Sequence, residues 1–195
     1  MTTKELYLIR HGTSLHNILF WEIGSSAYTR WRDTPLMHQG FCEANNLSSE
    51  WKNIDDIELV IVSPLLRTLQ TATTIFNKHK KQLIACDLIV EHPIGGSEIC
   101  NRRKNKALLE NLFPEVDYTG LRDVFKWKEE RESEEDLAMR LETFKDYLRS
   151  RSENKIAVVA HSCVINKLLY GNIGNEQGDL DKCRHCHPYY YRVEL

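Results

Sequence analysis

The chain has 195 residues and a formal net charge of −2, enough sequence to bury one sizeable core and too little charge imbalance to call for nucleic acid or an anionic membrane as partner. No apolar run approaches a membrane span and the start, MTTKELYLIRHG, carries no cleavage-site pattern, so the expectation is a soluble cytoplasmic protein. Of the cysteines, only Cys183 and Cys186 are close in sequence, which reads as reduced thiols rather than a disulfide framework.

In chain order, Leu6-Tyr7-Leu8-Ile9 reads as a strand buried on both faces, ending in Arg10-His11-Gly12. Glycine there would let backbone N–H groups approach a ligand. Ser14 to Phe20 begins a helix capped by Thr13 or Ser14, and Gly24-Ser25-Ser26 marks a loop. Trp31 to Leu36 is a polar turn, and a helix starting near Phe41 reaches about Trp51. Leu59-Val60-Ile61-Val62 is a second buried strand; Ser63-Pro64 then reads as cap and first position of a helix with Leu65, Leu66, Leu69, Ala72, Ile75 and Phe76 on its apolar face. Leu88-Ile89-Val90 reads as a third strand, ending at Glu91, before an irregular His92-Pro93-Ile94-Gly95-Gly96. A helix over Asn101 to Leu112 is expected, ended by Pro114, and Asp117 to Arg131 reads as a charged lid. Ser133 and Asp136 make a capping-box pattern for a helix with Leu137, Leu141, Phe144 and Leu148 on one stripe. Ile156 to Ala160 is a fourth buried strand, ending at His161; a short helix from about Cys163 to Tyr170 is closed by Gly171. Gly174 to Lys182 reads as a polar loop, and Tyr189 to Leu195 as an edge strand.

Strands alternating with helices imply an α/β fold: a three-layer sandwich with a mostly parallel central sheet, an antiparallel edge strand, helices on both faces and a small lid over about 92–132, all in a single domain spanning 1–195. Parallel strands point their carboxyl ends one way, and ligands bind beyond those ends. The four apolar strands terminate in Arg10-His11, in Ser63-Pro64 with Arg67 one turn on, in Glu91 and in His161. Two arginines can grip the oxygens of a phosphate monoester, and the helix starts after His11, Ser63 and His161 would aim N–H groups at it. His11, neutral at one nitrogen and tied through the other to a backbone carbonyl, would attack phosphorus; His161, if protonated, would add a donor. Glu91 would protonate the leaving oxygen and then activate water, with Glu98 as a rival acid. The cations are side chains, so neither metal nor cofactor is required.

LIRHGTSLHN, DTPLMHQGFCEA, SPLLRTLQTA and VVAHSCVI resemble the histidine phosphatase superfamily, the phosphoglycerate mutase-like enzymes, in order and across nearly the whole chain. The resemblance implies His11 as the phosphorylated nucleophile, with Arg10, Arg67 and His161 completing the phosphate pocket and Asn17 as helper. It also implies the acid in a Glu-x-x-x-Gly segment, which Glu91 to Gly95 matches. Ser162 stands where the family often has glycine and could still offer its N–H. The expected activity is hydrolysis of a phosphate monoester through a phosphohistidine; a mutase-type phosphotransferase and a non-catalytic phosphate-binding scaffold are the other readings. The partner would be a small phosphorylated substrate, with phosphoproteins left open; oligomeric state is not legible.

Other features have a plainer reading. Asn101-Arg102-Arg103-Lys104 is a solvated helix face or a subsite for an acidic part of the substrate, and the charged run from Lys126 is solvated surface. Cys183-Arg184-His185-Cys186-His187 has zinc-ligand atoms but only one such cluster, so a loop with free thiols is favoured. Met37, Met139 and the tryptophans read as core or lid filling.

Overall fold

The computed structural model describes residues 3–174 and 183–194; the expected polar loop lies largely outside these residues, as does Leu195. A six-stranded sheet is built from β1 (Thr3–Arg10), β2 (Leu59–Val62), β3 (Leu83–Ala85), β4 (Val116–Asp117), β5 (Lys155–Ala160) and β6 (Pro188–Glu194), in the order β4-β3-β2-β5-β1-β6. Every neighbouring pair is parallel except β1 with β6, which is antiparallel and places β6 at an edge. The helices are α1 (Leu15–Ile23), α2 (Ser26–Arg30), α3 (His38–Glu50), α4 (Leu66–Phe76), α5 (Lys106–Leu112), α6 (Glu134–Arg149) and α7 (Ser162–Tyr170).

The period-two alternation of the strands divides the core in two. Ile9, Val60, Val62, Ala157 and Val159 face one way, onto Ala44 and Leu47 of α3, Leu69, Ala72, Ile75 and Phe76 of α4 and Leu109 of α5. Leu6, Leu8, Leu59, Ile61, Ile156 and Val158 face the other, onto the leucine–phenylalanine stripe of α6 and Val164, Ile165 and Leu168 of α7. The central strands are therefore apolar on both faces, and helices cover both. Among the described residues no helix is long and apolar enough to cross a membrane.

Several local expectations are corrected. The third strand is Leu83–Ala85, with Val60 opposite Leu83 and Val62 opposite Ala85. Asp87–Ile89 is a 3-10 turn, and the carbonyls of Leu88 and Val90 accept from Arg140 Nη1, each at 2.8 Å, instead of from a strand. Ser63-Pro64 do not open α4. Its first turn is capped from a distance, by Asp33 Oδ1 accepting from the Leu66 N–H at 2.8 Å. Ser26 starts a short helix where Gly24-Ser25-Ser26 suggested only a loop. The helix expected from Asn101 starts only at Lys106, capped by Asn105, whose side chain accepts from Leu108 N–H. The basic run before α5 is no solvated helix face: Arg103 is fully buried, bonded through Nε and Nη2 to the Asp87 carboxylate. Met139 and Trp21 are exposed rather than core filling.

Candidate active site

The parallel centre of the sheet, β2-β5-β1, delivers Ser63, His161 and Arg10-His11 to one edge. The ladder continues one residue past β1, with His11 N–H donating to the Ala160 carbonyl at 3.1 Å. Beyond it the chain must pass α3 at contact distance: a Cβ on Gly12 would meet the Gly40 carbonyl oxygen at 2.5 Å. The Gly12 N–H donates to Thr71 Oγ1 at 3.0 Å, so this glycine serves close packing and its N–H does not reach for a ligand. Thr13 is clamped next to it, its N–H and Oγ1 both donating to the Glu43 carboxylate at 2.8 Å.

That fixed turn orients the imidazole of His11. Its Nδ1 lies 2.8 Å from the Gly12 carbonyl oxygen, which can only accept, so Nδ1 carries the proton and Nε2 keeps its lone pair. Burial, reinforced by Arg67 and His161, holds the His11 pKa well below the usual histidine range, so the ring is neutral near pH 7. The Nε2 therefore keeps a lone pair in a cationic setting.

Arg67, the second residue of α4, is fully buried; its Nη1 donates to the Cys100 carbonyl at 2.8 Å and its Nη2 to Asn101 Oδ1 at 2.9 Å. Arg10 Nη1 donates to the Cys183 carbonyl at 2.8 Å. His161 packs edge-on against His11 with ring centroids 5.2 Å apart, and its Nε2 is 2.8 Å from Ser63 Oγ. Among the described residues, Arg10 Nε, Arg67 Nε and His161 Nδ1 find no hydrogen-bond partner although they are buried, a condition that native structures rarely tolerate outside binding sites. Burial and then Arg67 also push the His161 pKa well below its usual range. In the free protein this ring is therefore neutral, so the condition of protonation attached to its donor role is not met there; the arginines carry the fixed positive charge.

A cavity of about 250 Å³ opens beside these groups, lined among others by Arg10, His11, Asn17, Arg67, Glu91 and Ser162. His161 is fully buried behind that wall. Asn17 is held by the first turn of α1, its Oδ1 accepting from Ser14 N–H at 3.0 Å. Glu91 sits at the N-terminus of α7, where Oε2 accepts from Ser162 Oγ at 3.3 Å and from Cys163 N–H at 3.4 Å, and Oε1 accepts from His92 N–H at 2.9 Å. Glu98 lies at the cavity too, 3.6 Å from Arg131. Arg140 and Glu132 brace this wall from outside: their guanidinium and carboxylate pair at 2.8 Å, and Glu132 Oε2 also meets His92 Nδ1 at 3.1 Å. Glu132 is thus a buried strut rather than part of a solvated run.

Two participants, His16 and Tyr28, escaped the sequence reading, and two more, Asn101 and His185, appeared there in other roles. His16 and Tyr28 line the cavity, His16 Nδ1 meeting Thr34 Oγ1 at 2.5 Å. Asn101 anchors Arg67. His185 lies over the end of β1, its Nδ1–H donating to the His11 carbonyl at 2.5 Å, while the Cys186 N–H donates to the Arg10 carbonyl at 2.9 Å. The segment 183–187 is therefore a brace for Arg10-His11. Only the i, i+4 placement of His16 and Phe20 on one helix offered a signal; the other contacts join residues remote in sequence. Among the described residues no group of three or more His, Cys, Asp or Glu side chains is arranged to hold a metal ion.

Comparison with known proteins completes the picture. The sequence model of the histidine phosphatase superfamily (branch 1) matches residues 6–194. A phosphoglycerate mutase-like protein of Arabidopsis thaliana is 29% identical over 202 residues, covering 85% of this chain and 73% of the relative. The alpha-ribazole phosphatase of Shigella flexneri shares the fold at a TM-score of 0.56 and 22% identity, covering 85% of this chain and 80% of its own. A mycobacterial glucosyl-3-phosphoglycerate phosphatase, solved in complex with VO3, does so at a TM-score of 0.56 and 19% identity, covering 88% and 85%.

Proposed function

The chain belongs to the histidine phosphatase superfamily, and from that premise we propose that it is a phosphohydrolase that cleaves a phosphate monoester through a phosphohistidine on His11. The observation that carries this reading is the state of His11: Nδ1–H is committed to the Gly12 carbonyl, and the ring stays neutral with Nε2 uncommitted by that bond, at a cavity that Arg10 and Arg67 also line.

Arg10 and Arg67 take the phosphoryl oxygens, Arg67 pre-oriented by its bonds to Cys100 and Asn101. His161 Nδ1 and the first N–H groups of α7, near Ser162, complete the set of donors. His11 Nε2 attacks phosphorus; the P–O bond to the alcohol breaks, and the leaving oxygen takes the proton of the Glu91 carboxylic acid. Glu91, now a carboxylate, accepts a proton from water as that water attacks the phosphohistidine. The N–P bond breaks, inorganic phosphate leaves, and both residues return to their starting states. Asn17 holds the start of α1 against the phosphate end of the cavity. A phosphotransferase would use the same residues but must exclude water, and Arg131 at the cavity, with a side chain 62% exposed, favours the hydrolase.

The test is steady-state hydrolysis of an aryl phosphate, together with trapping of acid-labile phosphate on the protein. Wild type should turn over, form phosphohistidine and be inhibited by vanadate, and His11→Ala should fall to background. Equal, slow hydrolysis by the two proteins would refute the reading, and isomerisation of phosphoglycerates outrunning hydrolysis would replace it with the phosphotransferase.

A further inference from the structure

A run of rings leads from the nucleophile to the surface. The centroids of His11 and His16 are 5.9 Å apart, those of His16 and Tyr28 5.6 Å, those of Tyr28 and Phe20 5.5 Å, and those of Phe20 and Trp21 6.1 Å. The geometry follows from α1 and α2: His16 and Phe20 stand one turn apart on α1, and α2 brings Tyr28 against both. The inner rings, His11, His16 and Tyr28, line the cavity. The outer ones emerge from the protein, Phe20 at 39% exposed and Trp21 at 82%. An indole so exposed contributes little to the core and leaves an apolar patch that a ligand can cover.

We propose that this run is the binding face for the organic part of the substrate, and that the chain acts by preference on phosphate monoesters whose alcohol carries an aromatic ring system. The inference rests on the hydrolase reading for the phosphate end and adds the class of leaving group. Size supports it: a cavity of about 250 Å³ holds the phosphoryl group and the first atoms of its ester, so a larger body must extend past Tyr28, where Phe20 and Trp21 lie. Chemistry supports it too. A polyhydroxylated or carboxylated body needs polar partners along its length, whereas the outer part of this run presents the apolar rings of Phe20 and Trp21; at the cavity Glu98 and Arg131 face each other at 3.6 Å, and the Asn101 side-chain carbonyl oxygen is taken by Arg67. Pro93 and Ile173 add apolar lining. A planar ring can instead stack on Tyr28 and Phe20, whose planes are 31° apart, with its far edge against Trp21.

The test compares naphthylmethyl phosphate with glycerol 3-phosphate, both esters of primary alcohols, so that leaving-group acidity does not mask binding. Wild type should favour the naphthylmethyl ester in kcat/KM, and Trp21→Ala should reduce that ratio about tenfold, with Phe20→Ala acting in the same direction. A second measurement needs no turnover. Naphthylmethyl phosphonate titrated into His11→Ala should perturb tryptophan emission, and the change should be largely absent when Trp21 is also replaced by Phe. Equal kcat/KM for the two esters, or an emission change that survives loss of Trp21, overturns the inference while leaving the hydrolase reading intact. Background hydrolysis of every ester together with Trp21-dependent phosphonate binding defeats the hydrolase reading and keeps the aromatic site. Dimerisation of wild type that Trp21→Ala abolishes, with the substrate ratio unchanged, assigns the rings to a second copy of the chain and also overturns the inference.

Discussion

The floor and the roof of the cavity are built in opposite ways. On the floor, His11 and Arg67 are buried, and each is tied to backbone carbonyls: His11 to Gly12, Arg67 to Cys100. Arg10 is tied likewise to Cys183. On the roof, among the described residues, Glu91 is held by contacts of 3.3 and 3.4 Å to α7 and by the N–H of its neighbour His92, and Glu98 meets Arg131 at 3.6 Å beside solvent. A phosphoryl group has the same shape in every ester, so rigid, dehydrated donors suit it. The alcohol differs from substrate to substrate, and a wall of loosely held side chains can change without disturbing the floor.

The sharpest way to break this contrast is on the floor. Arg67→Lys keeps the charge but gives up the fork that binds Cys100 and Asn101 while offering Nε inward. The proposed chemistry predicts a fall in kcat/KM of about 10²–10³-fold with any phosphate ester, measured by phosphate release. A loss below tenfold would mean that Arg67 holds the 100–101 loop and not the substrate.

Glu91→Gln should lower kcat for an alkyl phosphate by about 10²-fold or more, and less for a nitrophenyl ester whose leaving oxygen needs no proton. Glu98→Gln should stay within about threefold on both, because its contact with Arg131 is solvent-facing. The reverse outcome would move the acid from one side of the roof to the other.

The same contrast governs what the sequence made legible. β2 and most of β5 are apolar runs buried on both faces, and β1 carries the apolar run Leu6–Ile9 with Tyr7 half-buried, so all three could be read directly, and the residues at their ends came with them. β3 has three residues flanked by polar ones, and Leu88-Ile89-Val90 is as apolar as a strand but has its carbonyls claimed by Arg140. Local pattern does not separate the two cases, because a remote arginine decides between them. Glu91 was therefore singled out as a strand end, which it is not, and it lines the cavity all the same. His185, Asn101 and Tyr28 reach the site only through long-range contacts, which neither the run at 183–187 nor the basic run at 101–104 revealed.

The floor should also show itself in stability. Burial, as the main cause, depresses the pKa values of His11, His16 and His161 well below 6.5, and that of His185 to about 4. The unfolded chain takes up these protons near pH 6.5 and the folded chain only at lower pH, so stability is full above that value and is lost as pH falls. Each histidine adds a slope of up to about 1.4 kcal/mol per pH unit. Urea unfolding between pH 6.5 and 4.5 should become steadily easier, and His185→Asn, whose amide can still donate to the His11 carbonyl, should flatten the slope by one proton. An unchanged slope would show that His185 is not held neutral by the fold.

The smallest effect belongs to the roof. Arg131 is exposed, paired loosely with Glu98 and part of the cavity lining, on the path the proposed dianionic substrate would take. Removing it takes one positive charge from the mouth without touching a donor of the floor. Arg131→Ala should raise KM about two- to threefold at low ionic strength and leave kcat unchanged, the scale of a single solvent-screened charge. At about 0.5 M salt the Debye length falls to roughly 4 Å and the difference from wild type should vanish. A fall in kcat, or an effect that persists in salt, would place Arg131 in direct contact with the transferring phosphoryl group. The roof would then share in the chemistry, and the division between a rigid floor and an adjustable wall would have to be redrawn at residue 131.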